Sequence, residues 1–225
     1  MPPAKTAVRP SLSRELVADR ALEIADAEGL ESVTIRRLAS ELGVTPMALY
    51  WHFKTKDDLL DGLADRVLDA VELPPRSGEW TSDICAAMVA LVTAMRPHPQ
   101  AAHRVAERVM AHPKGLELTE AALATLSAAG FSPEAASYLA MQALRSAVAM
   151  VTADQVDDSG QTAEEREAHL RRKQATIASL DPAQYPAVVA HAQAMTYCGD
   201  PESLFALGVD LFVAGVRGLV EGQHR

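Results

Sequence analysis

A glycine set between two short, apolar-patterned runs, each with its own start signal, constrains this chain more than any other feature. Thr34 is placed to cap a helix that carries Ile35, Leu38, Ala39 and Leu42 on one face. Gly43 then breaks the run, as a tight corner between two helices requires. Thr45 followed by Pro46 restarts it, with a capping hydroxyl and then proline at the first helical position, where its missing N–H costs nothing. A short helix from Pro46 to about His52 follows. Thr55-Lys56-Asp57-Asp58 opens a third, with acids against its positive end and Leu59, Leu60, Leu63, Val67 and Leu68 along one side. Two helices meeting at such a corner present the second to the major groove of DNA.

Leu49 and Phe53, at i and i+4, face the core in this arrangement, so Met47, Ala48, Tyr50, Trp51 and His52 share the remaining circumference. Met47 and Ala48 suit thymine methyls, and Tyr50 and His52 reach phosphates or base edges. Arg36 has the reach for a bidentate contact to guanine, with Arg37 as a weaker neighbour, and Lys56 can pair with backbone phosphate. With Thr45 at the entry of the short helix, the candidate DNA contacts are Arg36, Thr45, Met47, Ala48, Tyr50, His52 and Lys56. Pattern alone leaves a second option open, because the same corner occurs inside helical bundles, where Tyr50 and Trp51 would be core aromatics.

Charge distribution leans towards DNA despite a net charge of −9. Residues 1–56 hold eight lysines and arginines against seven acids, whereas the rest holds thirteen against twenty-three. A locally basic head on an acidic body confines phosphate contact to one end. The fold class expected is all-α, since Ala and Leu abound and aromatic residues reach only 4%. Met1 to Leu12 is expected as a disordered arm, 13–73 as the helix-turn-helix domain, and 79–225 as a helical body beyond the linker of Pro74, Pro75, Ser77 and Gly78. Within the body, helices are expected at about 80–95, 99–110, 115–129, 133–154, 163–179 and 201–220, with a polar loop over 154–162 and a break over 181–186. Apolar runs fall well short of the ~20 residues of a membrane helix. Cys85 and Cys198 are expected as reduced, apolar side chains in a cytoplasmic protein. His98, His103 and His112 lie on separate segments without a carboxylate at ligand spacing, so no metal is expected. No phosphate loop, nucleophile elbow or catalytic carboxylate pair is present, so neither a cofactor nor an enzymatic activity is expected.

Residues 13–71 resemble the N-terminal domain of the TetR family of bacterial regulators. The likeness rests on A-L-E-I-A-x-x-E-G-L-E-S-V-T-I-R-R-L-A (Ala21 to Ala39), L-G-V-T (Leu42 to Thr45) and L-Y-W-H-F-K-x-K-x-x-L-L-D (Leu49 to Asp61). The body is similar to the ligand-binding domain of the tetracycline repressors, through S-G-E-W ending at Trp80, H-x-x-x-x-H-R-V from His98, A-G-F-S-P-E-A from Ala129, E-E-R-E from Glu164 and the ending from Leu204 to Leu219. The resemblance implies DNA contacts at Arg36, Met47, Ala48, Tyr50, His52 and Lys56. Pro46 and Met47 stand where the tetracycline repressors carry a glutamine–proline pair, which implies a different operator. It also implies a homodimer formed through helices at about 133–154 and 201–222, with Leu204, Phe205, Leu207, Leu211, Phe212 and Val216 in the interface.

The resemblance further implies an effector pocket in the body, but not its usual chemistry. The family's pocket asparagine and glutamine fall on Ala87 and Ala122, a ring-contacting phenylalanine near Leu91, the metal histidine near Val105, and a further histidine on Arg145. A tetracycline–magnesium effector is therefore not expected. The candidate effector site is an apolar one of Met88, Leu91, Val92, Met95, Met110, Met141, Leu144 and Val148, with His103 to orient a polar edge and Arg145 to meet a carboxylate. The function expected is a repressor that binds a palindromic operator as a homodimer and is released by a small molecule. An activator or DNA-bound structural factor of the same fold remains open, as does a helical carrier or enzyme.

Overall fold

The computed structural model describes residues 12–152, 162–196 and 201–223. The expected arm before Leu12, most of the expected polar loop, and Cys198 lie outside the described residues. Every regular element among those described is helical. The head comprises α1 (Arg14–Glu28), α2 (Ile35–Leu42), α3 (Pro46–Tyr50) and α4 (Lys56–Asp69). Its helices start where side-chain oxygens satisfy otherwise unpaired N–H groups: Ser13 accepts from Leu16, Thr34 from Arg37, Thr45 from Ala48 and Thr55 from Asp58, at 3.0–3.3 Å. Gly43, at φ 64°, turns the chain between α2 and α3 in the left-handed region that favours glycine.

The body comprises α5 (Trp80–Met95), α6 (Ala102–Arg108), α7 (Pro113–Ala128), α8 (Pro133–Thr152) and α12 (Pro201–Gln223), flanked by α9 (Ala163–Ala178), α10 (Pro186–Ala190) and α11 (Ala192–Thr196), which pack chiefly on one another. A capping box of Thr162 and Glu165 opens α9. The expected helix over 99–110 is a helix only at its centre: 3-10 turns at Pro99–Ala101 and Val109–Ala111 bracket α6. The expected break over 181–186 ends where α10 begins, and α10 and α11 occupy a stretch for which no helix is expected, each five residues long and too short for a periodic pattern.

One apolar core runs from the head into the body. Val17, Leu38, Leu49, Phe53, Leu63 and Leu68 are contiguous with Leu91, Val92, Met95, Val105 and Val148, so the Pro74–Gly78 linker separates the chain but not the packing. A second core of Ile84, Met88, Leu126, Phe131, Leu139 and Val216 lies at the far end. The period of α12 divides its apolar residues between two faces. Phe205, Phe212 and Val216 pack inward on the cores, against the expectation that they are interface residues. Leu207 and Leu211 are 54% and 65% exposed and, with Leu204, form the outward face.

Candidate DNA interface and effector cavity

The base of the short helix is fixed from behind. Leu49 and Phe53 are fully buried. The Arg14 guanidinium lies 4.2 Å from the Phe53 ring centroid, donates to the His52 carbonyl at 2.6 Å and pairs with Asp58 at 2.7 Å. Gly62 meets the edge of the same ring: a Cβ there would come within 2.5 Å of Phe53 and 3.6 Å of the Arg14 guanidinium. This clamp joins the end of α3 to the start of α4, and the Arg14 hydrogen bond holds the Asp58 carboxyl below the usual carboxylate range.

With those residues turned in, the others face out. Met47 is 69% and Tyr50 47% exposed, His52 and Ala48 are half-buried, and Thr45 is exposed with its oxygen accepting from Ala48. Trp51, at 83%, is more exposed than any of these, although it was not among the candidate contacts. Its position opposite Leu49 and Phe53 on the helix was the sequence signal for it. Arg36 is exposed and makes no hydrogen bond or ion pair among the described residues, whereas Arg37 is held between Glu28 (2.8 Å) and Glu41 (3.0 Å). Glu41 also receives Arg20, and the two guanidiniums lower its pKa. Lys56 rests 3.4 Å from the exposed Glu31, a loose pair that a phosphate can displace. Met47, Tyr50 and Trp51 present an aromatic and thioether surface, with Arg36 in the first turn of α2 and Lys56 in the first turn of α4.

Behind the head, α4 carries acids at every fourth position, and α6 with the following turn carries their partners at the same spacing. Arg104 pairs with Asp61 at 2.9 Å and Asp57 at 3.6 Å, Arg108 makes a fork to Asp65 at 3.0 and 3.1 Å, and His112 Nε2 lies 3.5 Å from Asp69. These charges are mostly half-buried, so they are screened less than surface pairs. This ladder was missed in the sequence, although the i, i+4 repeat of acids from Asp57 to Asp69 signalled it. A further link joins Asp26 on α1 to His98 at 2.7 Å; burial raises the Asp26 pKa, and the histidine contact opposes it.

The ladder's last rungs adjoin a cavity of about 390 Å³ between α5, α6, α7 and α8. Of the expected effector residues, Met88, Leu91, Met110, Met141 and Leu144 line it. So do Ala87 and Ala122, the positions matched above to the family's polar pocket residues. Five expected residues do not. Met95 continues the stripe of Met88 and Leu91 one turn too far and is sealed in the joint core, and Val92 beside it is sealed there too. His103, Arg145 and Val148 line a shallow neighbouring groove that shares only Ala106, Met141 and Leu144 with the cavity. Arg145 donates there to Gln142 at 3.2 Å. The turn closing one end of the cavity is tight: a Cβ on Gly115 would lie 2.0 Å from the Val109 carbonyl oxygen. Among the described residues, no cluster of three or more potential metal ligands forms, and no helix is long and apolar enough to cross a membrane.

Known proteins resemble this chain in sequence and fold. The profile of the bacterial regulatory proteins of the tetR family matches residues 17–63, and that of the tetracyclin repressor-like C-terminal domain matches residues 74–220. An HTH-type transcriptional regulator of Saccharopolyspora erythraea is 34% identical over 221 residues, covering 96% of this chain and 89% of the relative. The class C tetracycline repressor of Escherichia coli is 34% identical over 209 residues, covering 91% and 90%. Among solved structures, the Streptomyces coelicolor TetR family protein ActR in complex with actinorhodin superposes with a TM-score of 0.76 at 28% identity, covering 93% of this chain and 98% of its own.

Proposed function

The chain belongs to the TetR family of bacterial regulatory proteins, with a C-terminal domain of the tetracycline-repressor type, and from that premise we propose that this DNA-binding regulator is a homodimeric repressor released from its operator by a small molecule. The head, to about residue 73, reads a two-fold operator through Arg36, Thr45, Met47, Ala48, Tyr50, His52 and Lys56, with Trp51 added to them. The body, from about residue 79, dimerises through α8 and the outward face of α12 and receives the effector in its cavity. The protein acts in the cytoplasm.

The observation that carries this reading is the charged ladder between α4 and α6. At its head end, α4 is bonded through Asp58 to the clamp that sets the recognition helix. Along its length it is paired to Arg104 and Arg108, and the α6 segment bearing them supplies Ala106, Val109 and Met110 to the cavity wall. A ligand that alters how α6 packs therefore changes the position of α4, and the same coupling free energy appears as weakened operator binding. The class C relative is named a tetracycline repressor, which supports repression as the mode of action. Pro46 and Met47 at the tip of the short helix support an operator different from that repressor's.

The test is footprinting over the region around the protein's own gene, followed by titration with candidate effectors. A protected near-palindrome with half-sites about one helical turn or more apart, and its loss on adding one compound, is the expected result. Absence of any protected two-fold site at low salt overturns the proposal, as does higher rather than lower reporter expression in the protein's presence.

A further inference from the structure

The cavity wall contains seventeen residues, and none of them is ionisable. Fifteen are alanine, valine, leucine, isoleucine or methionine, so nothing in the wall compensates a buried charge. Six are alanines, and their missing side-chain volume makes the space. The two polar side chains are Thr119 and Ser137, and both have already committed their protons. Thr119 donates to the Gly115 carbonyl and Ser137 to the Pro133 carbonyl, each at 2.8 Å. What each hydroxyl oxygen retains is its capacity to accept, two lone pairs. The ionisable side chains of His103, Glu107 and Arg145 line the adjoining groove and not the wall.

We propose that the cavity takes an uncharged, largely hydrocarbon ligand bearing a hydrogen-bond donor, and that it rejects anions and metal chelates. An anion entering it exchanges water for aliphatic carbon and meets acceptors instead of donors. A neutral molecule gains from every apolar contact, and its N–H or O–H finds a waiting oxygen. The methionines Met88, Met110 and Met141 adapt the wall to the outline of the guest. This assignment rests on the reading that the cavity is the effector site, but its test does not depend on DNA.

Two probes with one nucleus separate the possibilities in the full-length protein. N-phenyl-1-naphthylamine is neutral and carries one N–H; 8-anilinonaphthalene-1-sulfonate is the same molecule with a sulfonate. Fluorescence titration is expected to give one neutral probe per chain, bound at least roughly thirtyfold more tightly than the sulfonate. Ala122→Phe and Ala143→Phe, which fill the space from α7 and from α8, are each expected to abolish neutral-probe binding. The pair Thr119→Val and Ser137→Ala is expected to weaken it about tenfold while leaving 1-benzylnaphthalene, which has no N–H, unaffected in displacement. Equal binding of the sulfonate, or no binding of the neutral probe, overturns the proposal on the unmodified protein alone. Retained binding in a folded phenylalanine variant overturns its location. Operator release measured on the same samples is a separate outcome: a probe that fills the cavity without releasing DNA defeats the effector reading and leaves the ligand class standing.

Discussion

The head and the cavity end of the body solve opposite problems. In the head, fully buried Leu49 and Phe53 back the recognition helix, with the Phe53 ring packed against the Arg14 guanidinium and the bare backbone of Gly62. In the body, six alanines leave space unfilled, and flexible methionines border it. A reading surface must keep its geometry whether or not DNA is present, so it is packed and clamped. A receiving surface must accept a shape from outside, so it gives up packing energy to remain open. The half-buried ladder between α4 and α6 joins the rigid part to the adaptable one.

Phe53→Ala breaks the contrast most directly. Removing a fully buried ring is expected to cost about 3–5 kcal/mol, read as a drop in the urea midpoint together with loss of operator binding. An unchanged midpoint would mean that the clamp does not organise the head. Arg108→Met addresses the joint between the two regions. With Asp65 left unpaired, the ratio of operator affinities without and with effector is expected to fall by about 5- to 150-fold towards unity, matching a coupling of roughly 1–3 kcal/mol. If the ratio stays as in the parent, coupling runs elsewhere.

Smaller effects sharpen the picture of the clamp. Asp58 is held below its ordinary pKa by Arg14, so the folded state binds that proton more weakly than the unfolded chain. The resulting stability is fully present above the unfolded value of about 4 and disappears as pH falls through the lower folded value. Because both side chains are about a third exposed or more, screening limits the contribution to about 1 kcal/mol. The difference in urea midpoint between the parent and Asp58→Asn is expected to shrink as pH is lowered from 5 to 3; a constant difference would assign the effect to packing. Smallest of all is the Lys56–Glu31 pair. Lys56→Gln is expected to reduce the slope of log affinity against log salt by about one, and Glu31→Gln to tighten operator binding by less than about 1 kcal/mol. An unaltered slope in the lysine variant would remove Lys56 from the phosphate contacts.

The head was more legible in the sequence than the cavity because its signals are local. Thr34, Gly43, Thr45-Pro46 and Thr55 each act within one turn of their own position, and each is found in its expected role. Helical period likewise placed Leu49 and Phe53 inside. A cavity depends on how far along each helix its neighbours stay apart, and period does not carry that information. Met88, Leu91 and Met95 share one stripe, yet the space ends between the second and the third. His103 and Arg145 drew attention by their chemistry, whereas the wall was written in alanines such as Ala140, Ala143 and Ala147, which look featureless in a sequence. On α12 the period was sufficient but applied too coarsely: Phe205, Phe212 and Val216 follow one another at inward spacing, while Leu204, Leu207 and Leu211 follow at outward spacing.

The pairing of Arg37 with Glu28 and Glu41 has a consequence for how the protein searches a chromosome. Of Arg14, Arg20, Arg36 and Arg37, only Arg36 is free of a carboxylate among the described residues. Attraction to arbitrary sequence scales with the number of cations that can displace counterions from phosphate. A head that pairs most of its described arginines internally, on a chain of net charge −9, is expected to hold arbitrary DNA weakly. Such a head is expected to search by repeated short encounters instead of long sliding.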